Sequence, residues 1–537
     1  MTLRDKSRYL PWLAAILLAA LSIAATIAWS GWWMIGVVFF GTGALLGLFD
    51  QFQAAHTLWR NYPALARIRW VSEALRPFVR SYFVESETDG RPFHQEERAL
   101  VYRRSKNIEG LEPFGSKSDF RYTEIEWIQH SIAARTGENA KRRLTIGGSD
   151  CKQPYDASIF NVSAMSFGAI GARATEALNK GAKAGNFAQD TGEGGISRHH
   201  RHGGDLIWEI GSGYFGCRTK DGGFDPQKFQ DRASSDQVKM IEIKLSQGAK
   251  PGHGGVLPGE KVTQEIAEAR GVPAGQDCIS PPSHSAFSNP IEMMEFIARL
   301  RELSGGKPVG FKLCVGKRSE MLALAKAMLE TKILPDFIVV DGIEGGTGAA
   351  PTEFIDDIGS PMRNGLLVVR DALTGTGLRE RVKIGAAGKI ITGARFAKTL
   401  ALGADWVNSA RGFMFALGCV QSMRCHTNRC PTGITTQDRD RQRGLVIEDK
   451  VPRVVNFHRN TIDALIQVCA AAGCEDPKDI HPEQIMRRWG ADKASAFSEL
   501  YPVLEPGQLL DEPEATIYAE EWKAARADSF DPRFKAA

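Results

Sequence analysis

The sequence predicts an α/β protein built on a (β/α)8 barrel, a TIM barrel, that is preceded by a two-helix transmembrane hairpin. Two observations carry this prediction. From Ser158 onward, short apolar runs alternate with helical stretches, which is the pattern of a parallel sheet. Two long uncharged runs also lie at the N-terminus. No G-x-G-x-x-G sequence follows a predicted strand and opens a helix, which disfavours a dinucleotide-binding sheet.

The hairpin is predicted from residues 10–29 and 32–49, which carry no charge. Each run can cross the hydrocarbon layer, which takes about 20 helical residues. Basic residues flank the pair, whereas the turn at Ser30 and Gly31 has none; they are Arg4, Lys6, Arg8, Arg60, Arg67 and Arg69. We therefore expect a cell (inner) membrane protein with its catalytic domain on the cytoplasmic side. A cleaved signal peptide would explain only the first run. The Gly43-x-x-x-Gly47 pair either packs the helices closely or reflects the glycine content of membrane helices.

Four regions are predicted along the 537 residues. They are a hairpin (1–55), a basic linker with the N-terminal segment leading into the barrel (56–150), the barrel (151–440) and a helical tail (441–537). The linker is basic and aromatic, as in segments that lie at a membrane interface. The net charge of +4 gives no reason to expect nucleic-acid binding. The predicted strands are Ile159–Met165, Met240–Leu245, Val309–Val315, Phe337–Val340, Val382–Ala386 and Trp406–Asn408. The predicted helices are Ala172–Ala184, Pro290–Leu303, Arg318–Glu330, Leu366–Leu373 and Ala394–Leu402.

A cysteine cluster is the most informative motif. Of nine cysteines, only Cys419, Cys425 and Cys430 are close together, spaced C-x5-C-x4-C and followed by Pro431. Such a loop can wrap a soft metal centre, and a Cys-Pro ending is common in iron–sulfur loops. Three ligands suit a three-iron (3Fe-4S) cluster. The alternatives are unrelated thiols, or a zinc site completed by His426, although zinc loops favour more closely spaced pairs.

Glycine-rich loops follow the last three predicted strands, at the barrel end where catalysis occurs. Their backbone amides can approach an anion or a flat ring closely, and two of them lead into helix N-termini. This favours a phosphate-bearing cofactor, with FMN as the leading candidate, over tight turns alone. The candidate residues are Gly345, Gly346, Thr347, Gly348, Gly388, Lys389, Gly393, Ser409, Arg411 and Gly412.

Cationic residues cluster in the middle of the predicted barrel. The loop at 244–255 carries Gln247 and Lys250, and Arg270 follows. Such a set can pair with a dicarboxylate, or can form a solvated basic loop. Lys312 interrupts an apolar strand. It is either a strand-end surface residue or a charge that stabilises a reduced flavin.

The region from 163 to 437 resembles the flavin-binding synthase domain of the glutamate synthase large subunit. The matching motifs come in family order; they are SAMSFGAI at 163–170, TGEGG at 191–195, QGAKP at 247–251, ISPP at 279–282, GGTGAAP at 345–351 and the cysteine trio. The resemblance implies an FMN barrel with Ser163, Met165 and Ser166 at the cofactor. It also implies a 3Fe-4S cluster on the cysteines.

The implied reaction is the reductive amination of 2-oxoglutarate to glutamate, by an oxidoreductase acting on the CH-NH2 group of donors. Gln247, Lys250 and Arg270 would hold the carboxylates, Glu193 would lie where ammonia enters, and Lys312 would lie near the flavin. Electrons would come from a ferredoxin or a reductase. The nitrogen would be ammonia, or would be supplied by a separate glutaminase subunit, because residue 2 is Thr where the large enzyme has a nucleophilic cysteine.

Several departures keep other interpretations open. The glycine-repeat domain of the large enzyme is not expected here, and three histidines follow the TGEGG motif; they are His199, His200 and His202. They could bind zinc, although a solvated basic loop is the more common role. Functional alternatives are an enzyme making an N-substituted glutamate or acting on another 2-oxo acid, and a non-catalytic membrane electron-transfer subunit.

Overall fold

The structure is a computed structural model that describes residues 7–53, 57–88, 90–117, 120, 125–490 and 493–533. Arg4 and Lys6, part of the basic flank of the hairpin, lie outside the described residues. The chain divides into two compact units, Met1–Gln95 and Glu96–Ala537, and each is described by itself.

The first unit contains two apolar helices that are long enough to cross a membrane, Ser7–Ala28 and Gly31–Phe52. They pack against each other at Gly47, where a Cβ atom would overlap the ring of Trp12. The Trp12 indole donates a hydrogen bond to the carbonyl of Ala44, 2.9 Å away. The glycine therefore has a packing role. Because signal sequences share this length and composition, membrane anchoring stays a proposal.

Among its described residues, this unit has three further helical segments: Thr57–Asn61, Arg67–Val79 and Arg80–Val84. Asp50, near the end of the second apolar helix, is fully buried and pairs with Arg67 at 2.5 Å. The same carboxylate accepts a hydrogen bond from the backbone N–H of Ala64. The ion pair thus ties the second apolar helix to the basic segment that follows it.

The second unit is a closed barrel of eight parallel strands, which confirms the predicted fold class. The strands are β1 (Phe160–Val162), β2 (Ala188–Asp190), β3 (Asp205–Ile210), β4 (Val238–Lys244), β5 (Val309–Cys314), β6 (Phe337–Asp341), β7 (Lys383–Ala387) and β8 (Trp406–Ser409). Strand β8 pairs with β1 and closes the barrel. Strand β5 is buried along its whole length, as parallel strands covered on both faces must be.

Helices surround the barrel and begin at recognisable caps. The Asn289 side chain accepts the backbone N–H of Glu292 at the start of Pro290–Leu303, and Thr392 caps Gly393–Ala401 in the same way. The remaining helices are Gln95–Ser105, which begins at the unit boundary, and Ala172–Gly185, Pro226–Ala233, Gln264–Arg270, Arg318–Thr331, Met362–Gly375, Arg411–Ala416, Arg439–Arg443, Ile447–Ala471, Phe497–Leu500, Gln508–Asp511 and Ala519–Ala524.

The six predicted strands all occur, with ends shifted by a few residues, but β2 and β3 were not predicted. Two of the three residues of strand β2 are polar, Gln189 and Asp190, so no apolar run marks the strand in the sequence. The apolar run of strand β3 is interrupted by Glu209, whose carboxylate pairs with Lys312 inside the barrel.

The C-terminal region packs on the outside of the barrel. Its long helix, Ile447–Ala471, meets Gly181 and Gly393 so closely that a Cβ atom at either would overlap it. The ring of Phe457 packs against those of Phe160 and Phe413. The region also contributes strands Ile485–Arg488 and Ala494–Ala496 to an antiparallel sheet with Glu126–Ile128. Two further strand pairs are Arg143–Ile146 with Tyr155–Ser158 and Val256–Leu257 with Cys278–Ile279.

Candidate functional site

A cavity opens at the carboxyl ends of the strands, where the loops after β1, β2, β4, β6 and β8 meet. It encloses about 950 Å³ of empty space, part of it open to solvent. Eleven of the residues predicted from the sequence line it: Met165, Ser166, Glu193, Gln247, Lys250, Arg270, Gly346, Thr347, Gly348, Arg411 and Cys425. Segments that lie far apart in the chain are thus brought to one site.

Close backbone contact joins the loops after β4 and β6. A Cβ atom at Gly248 would overlap the carbonyl of Gly342, and the Gly248 N–H donates to Asp341 at 2.9 Å. This contact places the Gln247 amide 3.4 Å from the hydroxyl of Thr347. A predicted substrate residue and a predicted cofactor residue are therefore neighbours.

Glu193 is a largely buried carboxylate surrounded by cations. Its Oε2 lies 3.2 Å from the Lys244 ammonium and 3.4 Å from the hydroxyl of Ser280. Burial opposes ionisation, but the charges of Lys244, Arg270 and Lys250 outweigh it and lower the pKa of Glu193. Glu193 is therefore ionised at neutral pH and can hold a cationic nitrogen.

Lys250 and Arg270 supply buried positive charge at the cavity wall, with 4% and 3% of their surfaces exposed. The Lys250 ammonium forms no hydrogen bond or ion pair with any described residue. Burial and the charge of Lys244 lower its pKa. The Arg270 guanidinium donates to Ser166 and to the carbonyl of Phe167, while its buried Nε has no partner among the described residues. Both groups suit an anionic ligand.

Lys312 lies inside the barrel, and the strand-end surface interpretation is wrong. Its ammonium is buried and pairs with Glu209 and with Glu242, the latter at 3.1 Å, while Asp190 lies 3.9 Å away. Glu209 also lines the cavity. Burial opposes the charge of Lys312, but the surrounding carboxylates raise its pKa. Lys312 itself does not line the cavity, but it pairs with Glu209, which does.

The cysteine loop forms another wall of the cavity through Cys425 and His426. The loop is tightly wound, since Gln421, Met423 and Asn428 all have positive φ. Such conformations cost about 1–3 kcal/mol each and persist where the surroundings impose them. Burial raises the pKa of Cys419 to about 11.

The spacing of the thiols is relevant to the zinc alternative. Among the described residues, the one set of three or more metal-ligating side chains with all ligand atoms within 4.8 Å of one another is Asp190, Glu209 and Glu242. Zinc–sulfur bonds of about 2.3 Å would hold thiolates closer than that. At least two of the three cysteine sulfurs are therefore more than 4.8 Å apart, farther than a single zinc ion would hold them.

Arg411 connects the glycine loop to the cysteine loop. Its Nη2 donates to the carbonyl of Thr347 at 2.7 Å, and its Nη1 lies 3.8 Å from the sulfur of Cys425. A Cβ atom at Gly346 would come within 2.6 Å of the guanidinium. The glycine therefore gives Arg411 the space that it occupies at the cavity wall.

The other predicted cofactor residues lie around this wall. The Ser163 N–H donates to the carbonyl of Ser409, where β1 and β8 end. Gly345 packs on Gly248, Gly388 lies against Met362, and Gly412 packs on Phe457. Lys389 has a positive φ of 51° in the loop after β7. None of these residues, nor Gly393, lines the cavity.

The three histidines after the TGEGG motif do not converge. His199 pairs with Glu265 at 2.6 Å and His202 lies 3.8 Å from Glu176. His200 is buried, its ring contacts Ser197, and burial lowers its pKa to about 3. The histidines hold local structure and do not form a metal site.

Sequence reasoning missed Glu209, Glu242 and Lys261 as parts of the site. The two glutamates interrupt apolar strands. A charge in such a run indicates a buried group that needs a partner, so the sequence does contain a signal for them. Lys261 lies in a loop, and nothing in its surroundings along the chain distinguishes it from a surface lysine.

A cationic cavity at the carboxyl ends of a (β/α)8 barrel, walled by a cysteine loop, defines an enzyme-like site. Residues 129–475 match a protein family that is described as the conserved region in glutamate synthase. The glutamate synthase large subunit-like protein YerD of Bacillus subtilis (strain 168) is 37% identical over 480 residues, covering 82% of this chain and 91% of that protein. The chain belongs to the glutamate synthase family, and is a glutamate synthase-like oxidoreductase.

Other relatives match over smaller parts. The archaeal glutamate synthase (NADPH) of Methanocaldococcus jannaschii is 33% identical, covering 65% of each chain. The glutamate synthase (NADPH) large chain of Azospirillum brasilense is 32% identical over 56% of this chain and 19% of its own length. Among solved structures, a mutant flavocytochrome b2 with pyruvate bound is similar, with TM-score 0.40 and 13% identity over 78% of this chain and 85% of that one. That likeness is too low to support a functional argument.

Proposed function

We propose that the chain is a membrane-anchored oxidoreductase that uses FMN and a 3Fe-4S cluster to convert 2-oxoglutarate and ammonia into glutamate. The observation that carries the proposal is the unpartnered, buried ammonium of Lys250 beside Glu193 in the cavity. Glu193 compensates this charge only in part, because Lys244 and Arg270 act on the same carboxylate, so an anionic ligand is expected there. Membership of the glutamate synthase family makes 2-oxoglutarate the leading candidate.

The charge of the cavity supports a dicarboxylate. Five cations line it, Lys244, Lys250, Lys261, Arg270 and Arg411, against the carboxylates Glu193 and Glu209. Gln247 adds an amide beside Lys250. We propose that Lys250, Gln247 and Arg270 hold and orient the two carboxylates of the substrate.

Glu193 has a separate role in this proposal. As an ionised carboxylate it would attract ammonium into the cavity and hold it there. Once ammonium has given a proton to water, ammonia attacks the keto carbon, and loss of the keto oxygen as water leaves the carbon–nitrogen double bond. Lys244 stabilises the ionised form from 3.2 Å. The buried ion pair of Glu209 and Lys312 would place fixed charges below the atoms that react.

We propose that residues in and beside the cavity wall hold two cofactors. Gly346, Thr347, Gly348, Met165 and Ser166 would hold a flavin, and Cys419, Cys425 and Cys430 would hold the cluster. When bound, FMN would supply the hydride that reduces the carbon–nitrogen double bond. Electrons would reach the cluster from a ferredoxin or a reductase, and the apolar helices would keep the protein at the cell membrane.

The test uses the full-length protein purified anaerobically in detergent. We expect flavin absorption, bound iron, and a reduced flavin that is reoxidised by 2-oxoglutarate plus ammonium but by neither alone. A monocarboxylate 2-oxo acid is the matched substrate control. Reoxidation by that acid, or by 2-oxoglutarate with methylamine only, would move the assignment to another 2-oxo acid or to an N-substituted glutamate. No reoxidation by any pair would favour an electron-transfer subunit.

A further inference from the structure

A buried lysine lies between the cavity and the cysteine loop. Lys261 ends the 3-10 turn Gly259–Lys261 in the long connection from β4 to β5. Only 2% of its surface is exposed, although its side chain borders the cavity.

Local structure fixes the position of Lys261. The turn follows the strand pair Val256–Leu257 and Cys278–Ile279, and the Gly259 N–H donates to the Asp277 carboxylate at 2.7 Å. Leu257 and Val262, on either side of the turn, belong to a buried apolar cluster with Phe167. The backbone on both sides of the lysine is therefore anchored.

The ammonium joins three segments. It donates to the carbonyl oxygens of Ala169 at 3.0 Å, Thr435 at 3.0 Å and Cys425 at 3.3 Å. These belong to the loop after β1, the stretch beyond the cysteines, and the cysteine loop itself. An ammonium has three donors, so all of them are used on backbone carbonyls.

No carboxylate neutralises this charge among the residues that the structure describes. A buried cation without a counter-ion is destabilising. The thiol groups of Cys425 and Cys430 are close enough to interact electrostatically with Lys261. A thiolate-ligated iron–sulfur cluster at this place would supply the missing negative charge.

We propose that Lys261 is a positioning residue that holds Cys425 at the cavity wall and raises the reduction potential of the iron–sulfur cluster through its positive charge. The inference rests on the proposed function, because it needs the cluster. When the cluster accepts one electron from a low-potential one-electron donor, its negative charge grows by one. A fixed cation nearby stabilises this reduced form more than the oxidised form.

The test is a redox titration of the full-length protein, with the cluster followed by EPR. Lys261→Gln removes the charge but keeps amide donors, and Lys261→Met removes both. Lys307→Met is the matched control, because Lys307 is equally a buried lysine that donates to two backbone carbonyls, those of Ala233 and Ser235. It lies at the opposite end of the barrel.

We expect a lower midpoint potential in both Lys261 variants and the parent value in Lys307→Met. Iron loss to a chelator should be about tenfold faster in Lys261→Met, since hydrogen bonds from a charged donor to the loop are lost, and slower in Lys261→Gln than in Lys261→Met. If both Lys261 variants keep the midpoint potential and the rate of iron loss of the parent protein, the inference about Lys261 is refuted and the proposed function is unaffected. A parent protein without iron would overturn the proposed cluster as well.

Discussion

The backbone of Gly255 lies directly against the carboxylate of Glu193, and a Cβ atom at that position would overlap Oε1. Gly211, the residue after β3, approaches the same side chain, and the position of its absent Cβ is 2.7 Å from Oε2. Glu193 is thus held between two glycines and opposite Lys244. Because Gly255 and Gly211 have no side chains, they leave the space that the Glu193 carboxylate occupies.

Gly255→Ala should displace Glu193 and lower ammonia-dependent turnover by about 100-fold, the cost of misplacing a reacting group by about 1 Å. Flavin and iron content should stay at parent levels. Gly316→Ala is the matched control, because nothing lies within 4 Å of the position of its Cβ. Steady-state rates with ammonium would decide, and equal rates in both variants would refute a catalytic Glu193.

Lys250→Met should raise the apparent KM for 2-oxoglutarate. A buried, charged hydrogen bond of this kind contributes roughly 2–5 kcal/mol, or a factor of about 30 to several thousand. Arg270→Lys, which keeps the charge but loses the planar fork, should have a smaller effect in the same direction. A KM unchanged in both variants would mean that the ligand is not a dicarboxylate.

Cys425→Ser should lose the cluster, because an alkoxide is a poor replacement for a soft thiolate. Cys151→Ser is the control. It lies outside the loop and is similarly half-buried. Iron and acid-labile sulfide per chain, measured after anaerobic purification, should fall in the first variant only. Full iron content in Cys425→Ser would show that this residue is not a ligand.

The buried carboxylates should make stability depend on pH. Burial raises the pKa of Glu242 to about 7, and the charge of Glu209 adds to this, although Lys312 opposes it. Between about pH 4.5 and pH 7, the folded chain therefore holds a proton that the unfolded chain has released, so stability falls as the pH rises. Asp190, whose pKa burial also raises, acts in the same direction.

Glu242→Gln should flatten this dependence, because the amide does not titrate. Thermal unfolding midpoints of the parent and variant, followed by near-ultraviolet circular dichroism across that pH window, give the comparison. Parallel profiles would exclude Glu242 as the titrating group.

A chain that begins at Glu96 should be recovered in the soluble fraction with flavin bound, because the barrel lies in the second compact unit. The full-length chain should need detergent. Its intact mass should include both apolar helices. A mass that lacks residues 1–29 would identify the first helix as a signal sequence, and a reporter after Ala537 that works only outside the cytoplasm would contradict the proposed orientation.

The sequence by itself determined the barrel, the two apolar helices and the set of motifs. These features are written in local patterns: alternation of strands and helices, uncharged runs of fixed length, and glycines or cysteines at short spacings. The family followed from motif order and is confirmed. Strand β2 was not predicted because two of its three residues are polar, and the segment becomes a strand only by pairing with β1 and β3.

Only the tertiary structure decided the partners of charged side chains. The sequence allowed Lys312 to be a surface residue, whereas the structure pairs it with Glu209, which is 103 positions away in the chain. Lys261 meets the carbonyl of Cys425 from 164 positions away. Closing the barrel brings such groups together, and burial then determines which charges must be paired. Since that pairing depends on contacts distant in the chain, local sequence patterns could not predict it.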